Sequence, residues 1–248
     1  MVEVQIPILM YHNIHPAPDS LYTMPLAVFE SQMSFLKENK YKTISLSQVI
    51  KLNKLNHNYI LLTFDDGYIE NYMYAFPILI RHGFHATFFV ITNKIDTPGY
   101  MSWKHLDELA NNGMEIGSHT LSHRALRTLD RISVLEELRI SKSLIEAQLN
   151  RQVPFLSFPH GSFNRQILAL AKEAGYMGCC TSRFGYYRSN IDPYKINRIN
   201  IKGTYDLSIF RKIVTNDGFA VFALTILDRV KELIKAIPFF TQSIGPST

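Results

Sequence analysis

Residues Ile60-Leu61-Leu62-Thr63-Phe64-Asp65-Asp66-Gly67-Tyr68 decide how this chain reads. A short apolar run bounded by turn residues has the pattern of a buried strand. This one delivers two adjacent carboxylates and a glycine at its end. Neighbours on an extended backbone point to opposite sides. Asp65 and Asp66 can therefore hold different posts in one site, one ligating a metal while the other handles a proton. The pair can equally just start the next helix, because aspartate is a good N-cap. The surroundings decide between the two.

Outward from that stretch, apolar strands and helical patterns alternate. Residues 7–12 form another apolar run, ending in His12, and helical spacing follows over 26–40 with Phe29, Met33 and Leu36 on one face. A strand is expected at 41–45 and a short helix at 46–55. Residues 69–82 are helical in pattern, with Pro77 as a kink and Gly83 as the stop. A strand at 86–91 precedes a helix that Ser102 caps and Gly113 closes. Residues 114–119 form a strand ending in His119, 129–150 the longest helical run, and 155–158 a strand before the turn at 159–162. A helix at 165–174, strands at 176–181 and 195–201, and a helix from Asp206 to about Asn216 follow. An amphipathic helix from about 218 to 237 completes the pattern. At least six alternations predict an α/β fold, a distorted parallel (β/α) barrel of about seven strands over residues 1–217. Residues 218–248 are expected to be a C-terminal helix and tail.

Composition agrees with one large domain that has a full core: 248 residues, 46% hydrophobic and 19% charged. The only cysteines, Cys179 and Cys180, are neighbours, and adjacent cysteines rarely meet disulfide geometry. The first residues lack the basic-then-apolar layout of a secretory signal. The apolar run at 219–227 is too short to span a bilayer. Residues 1–180 balance 16 basic against 16 acidic side chains, so the net charge of +5 arises in the last 68, with ten against five. Those basic residues are scattered and no binding motif accompanies them, which argues against nucleic acid. An anionic membrane surface or a phosphate-bearing substrate stays open.

The ionisable residues sort onto this map. His12, Asp65, Asp66, His119 and His160 each stand at, or just beyond, the C-terminal end of an apolar strand. In a parallel α/β barrel those ends share one face, where active sites are built. His119 and His123 are four apart, and on a helical turn both imidazoles would face one way and share a cation. Two imidazoles with an aspartate from another strand end leave coordination positions open, as catalytic metal sites require.

Together these residues amount to a resemblance. Thr63-Phe64-Asp65-Asp66-Gly67 with Ser118-His119-Thr120-Leu121-Ser122-His123 resembles the paired signature motifs of the polysaccharide deacetylase family. Its members are metal-dependent carbohydrate esterases that remove N-acetyl groups from amino sugars. The match extends through Ser102-Trp103, residues 112–119 and Phe158-Pro159-His160-Gly161-Ser162, spanning roughly residues 6–201. The resemblance implies that Asp66, His119 and His123 bind the metal and that Asp65 is the catalytic base. It also implies that Pro159, His160 and Gly161 form a groove turn whose backbone N–H helps hold the oxyanion. Two departures stand out. Family members carry an arginine bracing the catalytic aspartate where this chain has Ser157, leaving Arg183 or Arg198 to substitute. The family's usual C-terminal Leu-x-His is missing, since no histidine follows His160. Leu9-Met10-Tyr11-His12 can supply that histidine instead, a layout similar to the circularly permuted poly-N-acetylglucosamine deacetylase branch. His12 is then the general acid, with His15 the next candidate.

Tyr68, Trp103 and Phe163 are candidates to line a sugar groove by stacking, although aromatics so placed are as often core. His57, His82, His85 and His105 have no partners at useful spacing. The expected activity is metal-dependent removal of N-acetyl groups from amino sugars of a polysaccharide or glycan precursor, releasing acetate. The ion is expected to be one Zn²⁺, with Co²⁺ or Ni²⁺ compatible with the same ligands. The alternatives are an amidase or deformylase acting on a lipid-linked or small N-acyl sugar, and an inactive carbohydrate-binding relative. The expected setting is cytoplasmic, or peripheral at the inner face of the membrane. There the C-terminal helix, with Phe222, Ile226, Val230, Leu233 and Ile237 on one stripe, either packs on the barrel or touches lipid.

Overall fold

Seven strands form one parallel sheet, and nearly all of their residues are buried, as a parallel sheet covered by helices requires. The structure is a computed structural model describing residues 4–52 and 55–217, with Ala223 and Ile226. In chain order its elements are β1 (Ile8–Tyr11), β2 (Asn13–His15), β3 (Thr23–Pro25), α1 (Leu26–Glu38), β4 (Lys42–Thr43), α2 (Leu46–Val49), β5 (Tyr59–Phe64), α3 (Phe76–His82), β6 (Thr87–Val90), α4 (Trp103–Asn111), β7 (Glu115–Ser118), α5 (Arg131–Leu149), β8 (Phe155–Ser157), α6 (Arg165–Glu173), β9 (Gly178–Cys180), β10 (Ile199–Asn200) and α7 (Leu207–Val214). The sheet order is β10-β1-β5-β6-β7-β8-β9, with β4 joined to β5 and β2 paired with β3 apart from it. Ile196 bridges to Cys180 beside β9, and β10 three residues later pairs with β1. That segment touches both edges of the curled sheet, giving the distorted (β/α) barrel expected.

Strand alternation separates two cores. Leu9, Tyr11, Leu62, Phe64 and Phe88 join the larger one, against Phe29, Met33 and Leu36 of α1 and the apolar stripes of α3 to α7. Their neighbours Ile8, Leu61, Phe89, Phe155, Cys180 and Ile196 form a smaller one, with Leu46 and Val49 of α2 packed into it. Successive side chains on a strand face opposite ways. The smaller cluster is therefore the barrel interior and the larger one lies beneath the ring of helices. No described helix is long and apolar enough to cross a membrane.

Most expected elements form, with informative differences. The helix expected over 69–82 forms in two parts that meet just before Pro77. Residues Asn71–Ala75 form a π-helical turn that runs directly into α3, with Pro77 in its first turn. A wider turn there accommodates the carbonyl that proline cannot satisfy. The helix at 46–55 stops at Val49 after a Ser45–Gln48 capping box. The strand at 195–201 shrinks to β10 behind a 3₁₀ turn at Pro193–Lys195, because this segment crosses between sheet edges. Strands β2 and β3 had no sequence signal. The C-terminal helix and tail lie outside the described residues but for Ala223 and Ile226.

Gly117 shows how tightly the interior is filled. A Cβ there would stand 2.5 Å from the Phe89 ring and 3.2 Å from the Phe155 carbonyl oxygen. Gly117→Ala is expected to destabilise by about 1–3 kcal/mol through overpacking. A urea titration should show a lower midpoint with an unchanged slope.

Candidate active site

β5 stops at Phe64, and the next residues turn sharply. Asp65 keeps the ladder, its N–H donating to the Tyr11 carbonyl at 2.9 Å. Asp66 (φ 73) and Gly67 (φ 83) are both left-handed. Glycine suits its position doubly, since a Cβ would meet Val90 Cγ1 at 3.1 Å. The two carboxylates thus diverge because of a turn beyond the strand, not because of alternation along it.

Asp65 faces inward and is 3% exposed. Arg198, wholly buried, meets it bidentately: Nη1 to Oδ1 and Nη2 to Oδ2, each 2.7 Å. Ser157 Oγ donates to Asp65 Oδ2 at 3.0 Å and accepts from Arg198 Nη2 at 2.7 Å. The remaining guanidinium protons reach Thr63 Oγ1 (3.1 Å) and the Thr181 carbonyl (3.1 Å). Of the two arginines open to this role, Arg198 takes it, while Arg183 lies over the Phe163 ring. Ser157, standing where the family's arginine is absent, is short enough to let Arg198 in from the opposite side. A lone charge between Ile196 and Ile199 was the available signal.

Asp66 faces His119 and His123. Its Oδ1 lies 3.4 Å from Nε2 of each, and the three candidate ligand atoms sit within 4.8 Å of one another. His119 Nδ1 pairs with the Ser157 carbonyl at 2.8 Å, so Nδ1 carries a proton and Nε2 is the ring nitrogen turned toward Asp66 and free to ligate once it gives up its own. Residues 119–123 are not helical, contrary to the spacing argument. Thr120 (φ 66) and His123 (φ 64) are left-handed, and the loop folds His123 back beside His119, ring centroids 4.8 Å apart. Such backbone costs about 1–3 kcal/mol per residue and persists where surrounding contacts impose it. Burial and the neighbouring His119 hold His123 down to about 4, so it is neutral at neutral pH. Burial would lower His119 too, but Asp65 and Asp66 outweigh it and raise the group. The donor set suits a divalent ion of the zinc type: one carboxylate oxygen and two imidazole Nε2 atoms converge on a common point, and an ion there would displace the proton that Asp65 and Asp66 favour on His119.

His12 follows β1, and its buried Nδ1 has no hydrogen-bond partner among the described residues. Its ring lies 5.2 Å from that of Tyr22, which the sequence did not single out. Burial lowers its pKa against the pull of Asp65 and Asp66. Pro159–Gly161 is a 3₁₀ turn with His160 left-handed (φ 56), its ring 4.6 Å from that of His123. Tyr68 stacks on Tyr100 at 5.3 Å, and burial and Asp66 push its phenol up. Trp103 opens α4 and packs on the larger core, and Phe163 stacks on Phe158. His15 bonds with Ala17 near the surface.

The family model for polysaccharide deacetylase matches residues 53–179, just over half of the chain. The chain belongs to the polysaccharide deacetylase family. Enzymes of this family hydrolyse N-acetyl amide bonds, and this chain is a hydrolase of that class. It is 30% identical over 201 residues to YxkH of Bacillus subtilis (strain 168), whose own name assigns it to these deacetylases provisionally. That match covers 79% of this chain and 71% of YxkH. Against a poly-beta-1,6-N-acetyl-D-glucosamine N-deacetylase of Staphylococcus epidermidis it is 27% identical over 215 residues, covering 80% and 70%. The structure resembles that of the Streptococcus pyogenes deacetylase PplD in complex with acetate, with TM-score 0.75 and 28% identity. That likeness covers 83% of this chain and 96% of PplD.

The Asp65–Arg198 pair yields a test. Burial would raise Asp65, but Arg198, then His119, hold it well below the usual carboxylate range. Its stabilising contribution is therefore complete above the unfolded value near ~4 and is lost as pH falls through the depressed folded value. Arg198→Met leaves a buried carboxylate without its cation and should cost about 3–5 kcal/mol at neutral pH. Protonation relieves that penalty, so the gap from wild type should be smaller at pH 5 than at pH 7.5. Denaturant titrations of the metal-free proteins read this, and equal gaps would count against the assignment.

Proposed function

We propose that this chain is a metal-dependent N-deacetylase of polysaccharides built from N-acetylated glucosamine units, releasing acetate and a free amine. The convergence of Asp66, His119 and His123 beside a separately braced Asp65 carries this reading. The named substrate of the Staphylococcus epidermidis relative supports the sugar class, and acetate in the PplD complex fits the product.

Asp66, His119 and His123 would hold the ion, Zn²⁺ being the best match to this donor set, with Co²⁺ and Ni²⁺ also suited. Bound there, it would supply Lewis acidity to the acetyl carbonyl and to the attacking water. Asp65 needs that help. Arg198 keeps it ionised at every working pH but also makes it a weak base on its own. Asp65 takes one proton as water adds to the carbonyl carbon. On the Pro159–Gly161 turn the His160 N–H is the donor left for the developing oxyanion, since proline has none and the Gly161 N–H donates to the Phe158 carbonyl. The C–N bond then breaks, and the departing nitrogen takes a proton from His12, because an unprotonated amide nitrogen is a poor leaving group. Tyr68, with Tyr100 stacked on it beside Asp66, is placed to bear on the sugar ring.

The direct test incubates the chain with N-acetylated glucosamine oligomers, with and without Zn²⁺, Co²⁺ or Ni²⁺. Acetate and free amine should appear in equal amounts and only with metal. His119→Ala should lose bound metal and nearly all turnover; stoichiometric metal kept by His119→Ala/His123→Ala would sink the metal assignment.

His12→Ala should keep its metal and fold while kcat falls by roughly 10²–10⁴, the usual worth of a positioned acid. Burial holds His12 below its ordinary value of ~6.5, and its working form is protonated, so the alkaline limb of kcat/KM should fall below that value in wild type. That limb should vanish in the variant. Near-normal turnover with both limbs retained would move the acid elsewhere.

A further inference from the structure

The loop carrying both histidines is held from two sides. On the β6 side the N–H groups of Thr92 and Asn93 donate to the Thr120 carbonyl (3.2 Å) and the Leu121 carbonyl (2.9 Å). On the other side stands Glu137 of α5, a carboxylate only 5% exposed. Its Oε2 accepts the Leu121 N–H at 3.0 Å and the Ser122 N–H at 2.9 Å, and its Oε1 accepts the Ser122 hydroxyl. One turn further along α5, the Ser141 hydroxyl pairs with Ser118 Oγ at 2.9 Å, and Ser118 Oγ accepts the Thr120 N–H at 3.1 Å. Successive turns of one helix therefore grip the backbone between His119 and His123.

We propose that Glu137 is a positioning residue of the metal centre. It holds Leu121 and Ser122, which lie between left-handed Thr120 and His123, on the path that keeps His119 Nε2 and His123 Nε2 on the same side of Asp66. The proposal rests on the metal reading above. Three donors from the two residues before His123 converge on one carboxylate. Leu121, Ser122 and His123 are each partly exposed, so water can satisfy the freed N–H groups if Glu137 is removed. The barrel then has little reason to unfold. What is lost is the single geometry of the loop, which bound metal must restore against chain entropy.

This separates positioning from mere structure. Glu137→Ala should weaken Zn²⁺ binding by about 10–100-fold, the scale at which supporting partners of metal ligands act. The melting temperature of the metal-free protein should stay within a few degrees of wild type. Glu137→Gln keeps a carbonyl oxygen for the two N–H groups and an amide to donate to Ser122 Oγ, so it should bind Zn²⁺ nearly as wild type does. Ser122→Ala removes one of three donors and should weaken binding to a lesser degree.

Zn²⁺ affinity is read by chelator competition on the folded full chain, and melting by circular dichroism. If wild type binds Zn²⁺ and Glu137→Ala binds it within twofold as tightly, the positioning role is overturned and the metal site stands. If wild type binds no Zn²⁺, both fall together. If Glu137→Ala fails to fold, Ser122→Ala decides: weakened binding supports the role and unchanged binding overturns it.

Discussion

A wholly buried guanidinium and a nearly buried carboxylate, Arg198 and Asp65, meet at the C-terminal mouth of the barrel. Taking two such charges out of water is expensive, and removing either partner strands the other. Here every remaining bond is accounted for. Thr63 comes from β5, Ser157 from β8, and the Thr181 carbonyl from just past β9. Arg198 itself lies between the Ile196 bridge to β9 and the pairing of β10 with β1. One ion pair thus joins both edges of the curled sheet, and its geometry depends on how residues 196–200 cross from one edge to the other.

The same pair sets the chemistry. A carboxylate gripped by two charge-assisted bonds keeps one rotamer and one protonation state. That makes Asp65 a poor strong base on its own, and in the proposed reaction it would accept a proton only from water acidified by a bound cation. Its neighbour Asp66 is turned away by the left-handed backbone at Asp66 and Gly67, leaving it for the histidines. Two adjacent aspartates therefore do unlike work because one faces an arginine and the other two imidazoles.

The likeness to other polysaccharide deacetylases extends over most of the chain, while the family resemblance implies a bracing arginine at the place of Ser157 and this chain brings Arg198 to Asp65 from elsewhere. Position along the chain matters less than arrival at the carboxylate. A parallel barrel makes such exchange easy, since every strand end opens on the same face. Ser157 illustrates the compensation: in place of an arginine it supplies a hydroxyl that bridges Asp65 and the arginine coming from the other direction. Its carbonyl meanwhile fixes the tautomer of His119. The loop carrying the two candidate histidine ligands is held by the helix behind it, through bonds from Glu137 and Ser141 of α5 to residues 118–122.

Local pattern was enough for much of this protein. Strand patterns at 7–12, 59–64, 86–91 and 114–119, alternating with helical ones, pointed to a parallel sheet, and strands form within each of them. Polar residues at their ends then have to share a face, which is why Asp65, Asp66, His119 and His12 were legible before any coordinates. What the sequence could not say concerns contacts made across long separations. Whether Arg183 or Arg198 reaches Asp65 turns on how residues 196–200 cross from β9 to β1. The path between His119 and His123 turns on Glu137, and spacing alone pointed wrongly to a helical turn. Hydrophobic period is a local property of the chain, set by which face of an element meets the core. Charge pairing and left-handed backbone are imposed by neighbours distant in sequence, and only the tertiary structure decides which neighbours those are.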